Sequence, residues 1–117
     1  MKIILKDIIN SRYAVSSEQG ELVYNFFIEY FKSGALIELD FSNIKSTIAP
    51  FFYSCYGILF KDYSLEKVEE KIKFLNITNS TEITIKIVKN ISVDFYKNKR
   101  ASKYFVLQHS FMKSFHF

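Results

Sequence analysis

Within residues 42–47, Ser42, Asn43, Ser46 and Thr47 supply three hydroxyls and an amide, and an apolar run with Pro50 near its start follows at once. Pro50 suits the first turn of a helix, where backbone N–H groups have no partner inside the helix. Hydroxyls ahead of such a helix have two chemical uses. They cap its free N–H groups, or they hold or carry a phosphate that those groups and the helix dipole stabilise. Asp40 ends the preceding apolar stretch, the place where open α/β sheets bind ligands.

Other chemistry finds little support. A nucleophile needs a base beside it, most often histidine, and His109 and His116 both fall in the last residues of the chain, far in sequence from Cys55. Cys55 itself sits on the apolar side of a predicted helix, where a lone cysteine belongs to the core. Two histidines seven residues apart, with no cysteine or acidic residue between them, match no common metal-ligand spacing. The three glycines form no phosphate-cradling loop. The chain therefore reads as non-enzymatic, with no metal and no other cofactor.

The elements that must position the 42–47 turn follow from periodicity. "MKIILKDII" predicts a strand over about residues 2–9, and "NSRYAV" punctuates it and adds room for a short second strand. Ser16 with Gln19 has the form of a capping box, opening a helix over 16–33 whose Leu22, Val23, Phe26, Phe27, Tyr30 and Phe31 fall on an apolar stripe and which stops at Gly34. Ile37, Leu39 and Phe41 alternate with Glu38 and Asp40 as a strand. A second helix is expected over 48–60, with Ser54 and Gly57 small enough for close approach to a neighbour. Ser64 caps a short third helix, and 72–77 alternates as a strand. From Thr81 on, Ile83, Ile87, Val88, Ile91 and Phe95 follow a helical stripe, while Ile83, Ile85 and Ile87 alternate; length and the cap favour a helix. This order predicts an α/β fold, a small mixed or parallel sheet packed with helices.

With 49% apolar residues, a chain of 117 can bury a single core without staples. One cysteine and no leader-like opening predict a reducing, cytoplasmic setting, and no apolar run approaches the length that spans a bilayer. Charge is uneven. Residues 1–85 hold nine Lys/Arg against eleven Asp/Glu, whereas 86–117 hold seven against one. Lys86, Lys89, Lys97, Lys99, Arg100 and Lys103 make nucleic acid an alternative partner, though a solvated helix face accounts for the same pattern.

"EQGELVYNFFIEYFKSG", "IELDFSNIKSTIAPFFYSCYGILFKDYS" and "FLNITN" together resemble the STAS-like domains of unknown function found in bacterial proteins, relatives of the STAS anti-sigma-factor antagonists. The resemblance covers roughly residues 1–98 and implies a small α/β sandwich that docks on a histidine-kinase-like ATPase or similar signalling protein. It also implies a phosphate acceptor at the start of the helix after the Asp-Phe-Ser strand end. In this chain that motif falls on Ile48, Ala49, Pro50 and Phe51, none of which accepts phosphate.

The expectation is a domain over 1–98 with a basic, aromatic extension over 99–117. It is a regulatory protein-interaction module using the strand, turn and helix of 39–57. Asp40, Ser42, Asn43, Phe52, Tyr53, Tyr56 and Gly57 are the partner-binding candidates, with an exposed patch around Phe52, Tyr53 and Tyr56. Ser46 and Thr47 are expected to cap the second helix, with phosphorylation, or a small anion or ligand bound there, as the alternative.

Overall fold

The capping box forms as the sequence requires. Gln19 N–H donates to Ser16 Oγ at 3.2 Å and Ser16 N–H donates back to Gln19 Oε1 at 3.1 Å, opening a helix over Ser17–Lys32. A computed structural model describes residues 1–101 and carries this helix as the second of five among the described residues. In chain order these are α1 (Leu5–Ile9), α2 (Ser17–Lys32), α3 (Ala49–Cys55), α4 (Leu65–Lys71) and α5 (Asn79–Ala101). The strands are β1 (Lys2–Ile4), β2 (Tyr13–Ala14), β3 (Ile37–Asp40), β4 (Ser46–Thr47) and β5 (Ile72–Leu75).

β3 is the middle strand, parallel to β1 on one side and to β5 on the other, with Leu39 level with Ile3 and Phe74. Alternation turns Ile3, Ile37, Leu39 and Ile72 to one face, where all four are buried. Lys2 and Lys73 stand on the other face, exposed beside half-buried Glu38. β2 and β4 form a separate parallel pair. The fold is the expected α/β arrangement, and its described strand pairings are all parallel.

α3 occupies the centre of the helical layer. Every one of Phe51 to Cys55 is buried, which suits a helix that is apolar on all sides. The small residues decide how closely it is gripped. Gly20 of α2 lies against Ser54 and the Phe51 carbonyl, and Gly57 lies against Ser92 of α5. Phe52 meets the sheet at Phe41 and Phe74, with ring centroids 5.9 and 6.3 Å away.

Four expectations are corrected. The first strand ends at Ile4 and α1 takes over, because Leu5 and Ile9, one turn apart, are both buried; Asn10 then reverses the chain with φ 51°. The second helix stops at Cys55 and continues as a 3-10 helix, Gly57–Lys61. That tighter path follows Gly57's contact with α5 and keeps Leu59 and Phe60 buried. The turn 42–47 contains β4. Finally, α5 buries Ile85, Val88, Ser92 and Phe95, so the stripe is rotated and Ile83 and Ile87 face outward.

Ser92 has a further consequence. Its hydroxyl is buried with no hydrogen-bond partner among the described residues, and Gly57 closes over it. Replacing Ser92 by alanine removes an unpaired hydroxyl and raises helix propensity, so unfolding in urea is expected to shift to higher concentration, by about 1 kcal/mol of stability.

Candidate functional site

Asp40 ends β3 only 4% exposed. One carboxylate oxygen accepts from Ser42 N–H at 2.8 Å, Ser42 Oγ at 2.7 Å and Asn76 Nδ2 at 2.8 Å. The other faces Lys2 Nζ at 3.3 Å. Asn76 reaches the carboxylate from the turn after β5, where its φ of 58° is one that asparagine tolerates well. Hydrogen bonds from Asn76 and then Ser42, with Lys2 adding, hold the Asp40 carboxyl well below the usual carboxylate range. The group stays ionised and its acceptors are engaged. Asp40 and Ser42, two of the partner-binding candidates, tie the turns after β3 and β5 together, with Lys2 from the start of β1 added on the other carboxylate oxygen.

Beside this knot the β2–β4 pair carries the 42–47 turn. Tyr13 is level with Ser46 and Ala14 with Thr47, and Ile48 N–H extends the pairing to the Ala14 carbonyl at 3.2 Å. Paired residues of parallel strands share a face. Ala14 and Thr47 point inward, where Ala14 is fully buried and Thr47 Oγ1 meets Thr81 Oγ1 at 3.0 Å. Tyr13, Val15, Ser46 and Ile48 make the outer face. Tyr13 is 51% exposed, Val15 39% and Ile48 43%, and Ser46 is exposed among them.

Side chains and turns lock this pair in place. Gln19 Nε2 donates to the Tyr13 carbonyl at 2.9 Å and its Oε1 accepts from Val15 N–H at 2.8 Å. Lys45 N–H donates to the Arg12 carbonyl at 2.7 Å, and Arg12 Nε to the carbonyl of exposed Asn43 at 3.2 Å. Ser46 and Thr47 do not cap α3, which opens at Ile48 with no side-chain cap. Thr78 caps the start of α5, where its Oγ1 accepts from Thr81 N–H at 3.1 Å and donates to Thr81 Oγ1 at 3.1 Å, and Thr47 joins only through the Thr81 hydroxyl. A cleft of about 160 Å³ opens there, lined in part by Lys45, Thr47, Asn76, Thr78 and Thr81.

The remaining candidates lie elsewhere. Phe52 is fully buried, Tyr53 and Tyr56 are 4% exposed, and Gly57 is buried against α5. The exposed patch expected around Phe52, Tyr53 and Tyr56 is therefore core, because α3 has neighbours on every side. Cys55 is buried, and burial pushes its thiol pKa up, which keeps it from acting as a thiolate nucleophile. Lys86 pairs with Glu82 at 3.7 Å and Lys89 with Glu69 at 3.3 Å. The side chains of Lys99, Arg100, Lys103, His109 and His116 lie outside the described residues. No described helix is long and apolar enough to cross a membrane.

Tyr13, Val15 and Ile48 were not among the sequence candidates. A signal existed in the alternation of Tyr13 and Val15 around Ala14, but nothing local joins it to Ile48.

A family model described as a STAS-like domain of unknown function (DUF4325) matches residues 19–82. That span runs from the first turn of α2 to the first turn of α5 and takes in β3, β4 and α3. No curated protein and no solved structure matches the chain.

Proposed function

We propose a function from the premise that this chain belongs to the family of STAS-like domains of unknown function: it is a non-enzymatic docking module whose contact face is the outer side of the β2–β4 pair. The observation that carries the reading is the cluster of Tyr13, Val15 and Ile48, exposed by 51, 39 and 43%, on backbone held by Gln19 and Arg12. Aromatic and aliphatic side chains on a rigid support contribute strongly to interfaces, since little conformational entropy is lost when they are covered. Asn43 and Lys45 supply a polar rim. The partner class is a histidine-kinase-like ATPase or a comparable regulatory protein, as the likeness to anti-sigma-factor antagonists implies.

Ser46 gives the face a means of control. Its hydroxyl stands among the three apolar side chains, whereas Thr47 is turned inward toward Thr81. A phosphate on Ser46 would add about −1.5 to −2 charge to a surface that must be desolvated on docking, which opposes binding.

The test is purification of the full chain with its partner from the native cell, then affinity measurement with variants. Tyr13→Ala combined with Ile48→Ala is expected to weaken binding at least tenfold, roughly 2 kcal/mol, with the melting temperature unchanged. Ser46→Asp is expected to abolish binding and Ser46→Ala to preserve it. Unchanged affinity in the double variant, or recovery of nucleic acid alone, would overturn the docking reading.

A further inference from the structure

A second cleft, lined by none of the docking-face residues, opens where α4 and α5 flank β5, an edge strand of the described sheet. Its volume is about 290 Å³, close to the lower bound of small-molecule sites, roughly 300 Å³. Ile72, Phe74, Ile77 and Ile85 give it apolar walls. Tyr56 completes the lining, its ring packed edge-on against Phe60 and Phe74 and its side chain only 4% exposed. The Tyr56 hydroxyl makes no hydrogen bond among the described residues, yet it is not sealed off as that of Ser92 is. Burial, and after it the nearby charge of Glu69, push its pKa up, so it stays protonated. The cleft therefore holds an unused donor.

Charge at the cleft does not cancel. Lys86 pairs with Glu82 at 3.7 Å, and Lys89 of α5 reaches Glu69 of α4 at 3.3 Å. Lys73, the third lysine of the lining, donates from Nζ to the Glu69 carbonyl at 2.8 Å. A carbonyl accepts one of the three ammonium hydrogens without neutralising the charge. Among the described residues no carboxylate stands within ion-pair distance of Lys73. One positive charge is thus left over beside apolar walls.

We propose that this cleft binds a small organic carboxylate, with its apolar body against Ile72, Phe74, Ile77 and Ile85 and its carboxylate accepting from Lys73 Nζ and the Tyr56 hydroxyl. Burial of the body supplies attraction, and the charge-assisted hydrogen bonds fix the orientation. A single negative charge matches the single charge left over. Inorganic phosphate would carry more charge than the cleft balances and would gain nothing from its walls; a neutral molecule would leave Lys73 uncompensated. The groove of Asn25, Phe26, Glu29 and Tyr30 on α2 has a carboxylate and no cation in its lining, so it offers the same ligand no counter-charge.

Amide NMR of the full chain, titrated separately with 3-phenylpropionate and octanoate, tests this assignment. At least one of the two is expected to give saturable shifts within 72–77 and 82–89, half-complete below about 1 mM. The neutral analogue 3-phenylpropanol and inorganic phosphate are each expected to bind at least about tenfold more weakly than that carboxylate. Lys73→Met should weaken carboxylate binding by about tenfold and Tyr56→Phe by about fivefold. Both variants are expected to stay folded, since Lys73 is exposed and Tyr56→Phe removes only a hydroxyl that bonds to nothing described. Neither carboxylate saturating by about 10 mM, shifts confined to other residues, 3-phenylpropanol or phosphate binding as tightly, or affinity unchanged in both variants would each overturn the proposal.

Discussion

Replacing Gly20 by alanine is expected to lower the stability of this protein by about 3 kcal/mol and its melting temperature by roughly 10–20 °C. Propensity alone argues the other way. Alanine inside a helix is favoured over glycine by up to about 1 kcal/mol. Packing reverses the sign, because a Cβ on Gly20 would overlap Ser54 Oγ and come within 2.5 Å of the Phe51 carbonyl oxygen. Neither neighbour can yield easily. Ser54 Oγ donates to the Ser17 carbonyl at 2.8 Å, and the Phe51 carbonyl is backbone of α3. The added methyl must therefore push α2 away from α3 and loosen the core in which Phe27 of α2 and Phe51 of α3 are both fully buried. Urea unfolding followed by circular dichroism measures the effect. A midpoint equal to or above that of the unaltered chain would refute the close contact of the two helices, and Ser54→Gly in the same chain is expected to recover part of the loss.

The second large effect belongs to Asp40. Asp40→Ala leaves Asn76 Nδ2 and the Ser42 donors facing an empty position and Lys2 without its counter-charge, an expected loss of about 3 kcal/mol. The same network sets a dependence on pH. An unfolded aspartate titrates near 3.9, and in the folded chain Asn76 and Ser42 hold the Asp40 carboxyl lower. The folded state therefore keeps the charge more readily than the unfolded state. Stability from this group is complete above about pH 4 and is lost as the pH falls from there toward the folded value. Asp40→Asn keeps the shape and removes the titration. Melting temperatures between pH 2 and 5 should fall steeply in the unaltered chain and distinctly less in Asp40→Asn; parallel curves would show that the carboxylate does not carry the network.

Where local chemistry was sufficient, the fold was legible in the chain. The Ser16–Gln19 box, the apolar stripe ending in Phe31 and the stop at Gly34 act within a few residues of one another, and α2 runs as they require. Ile37 and Leu39 are buried in the central strand as their alternation implies. The small residues Ser54 and Gly57 do mark close contacts. The likeness to the STAS-like family rests on this same stretch, which the family model covers.

The candidate site was less legible, for two reasons. Phe52, Tyr53 and Tyr56 could be placed on α3 but not assigned to core or surface by spacing alone. The cue lay in the absence of any charged residue from Ala49 to Phe60, since a helix without a polar side belongs between neighbours. β4 gave no cue of its own. Two residues are too few to show a period, and Ser46 and Thr47 become a strand only because Tyr13 and Ala14, far back in the chain, offer a matching edge.

Sequence alone determined the α/β class, the span and cap of α2 and the central strand. Each depends on contacts within a few residues or on apolar periodicity. Tertiary structure decided which hydroxyl faces out, what Asp40 does and which apolar side chains remain exposed. Those outcomes depend on partners distant in the chain: Thr81 for Thr47, Asn76 and Lys2 for Asp40, and α2 with α5 for α3. The stretch 42–47, expected as a turn, becomes part strand because β2 pairs with Ser46 and Thr47 on one side and α5 meets Thr47 on the other.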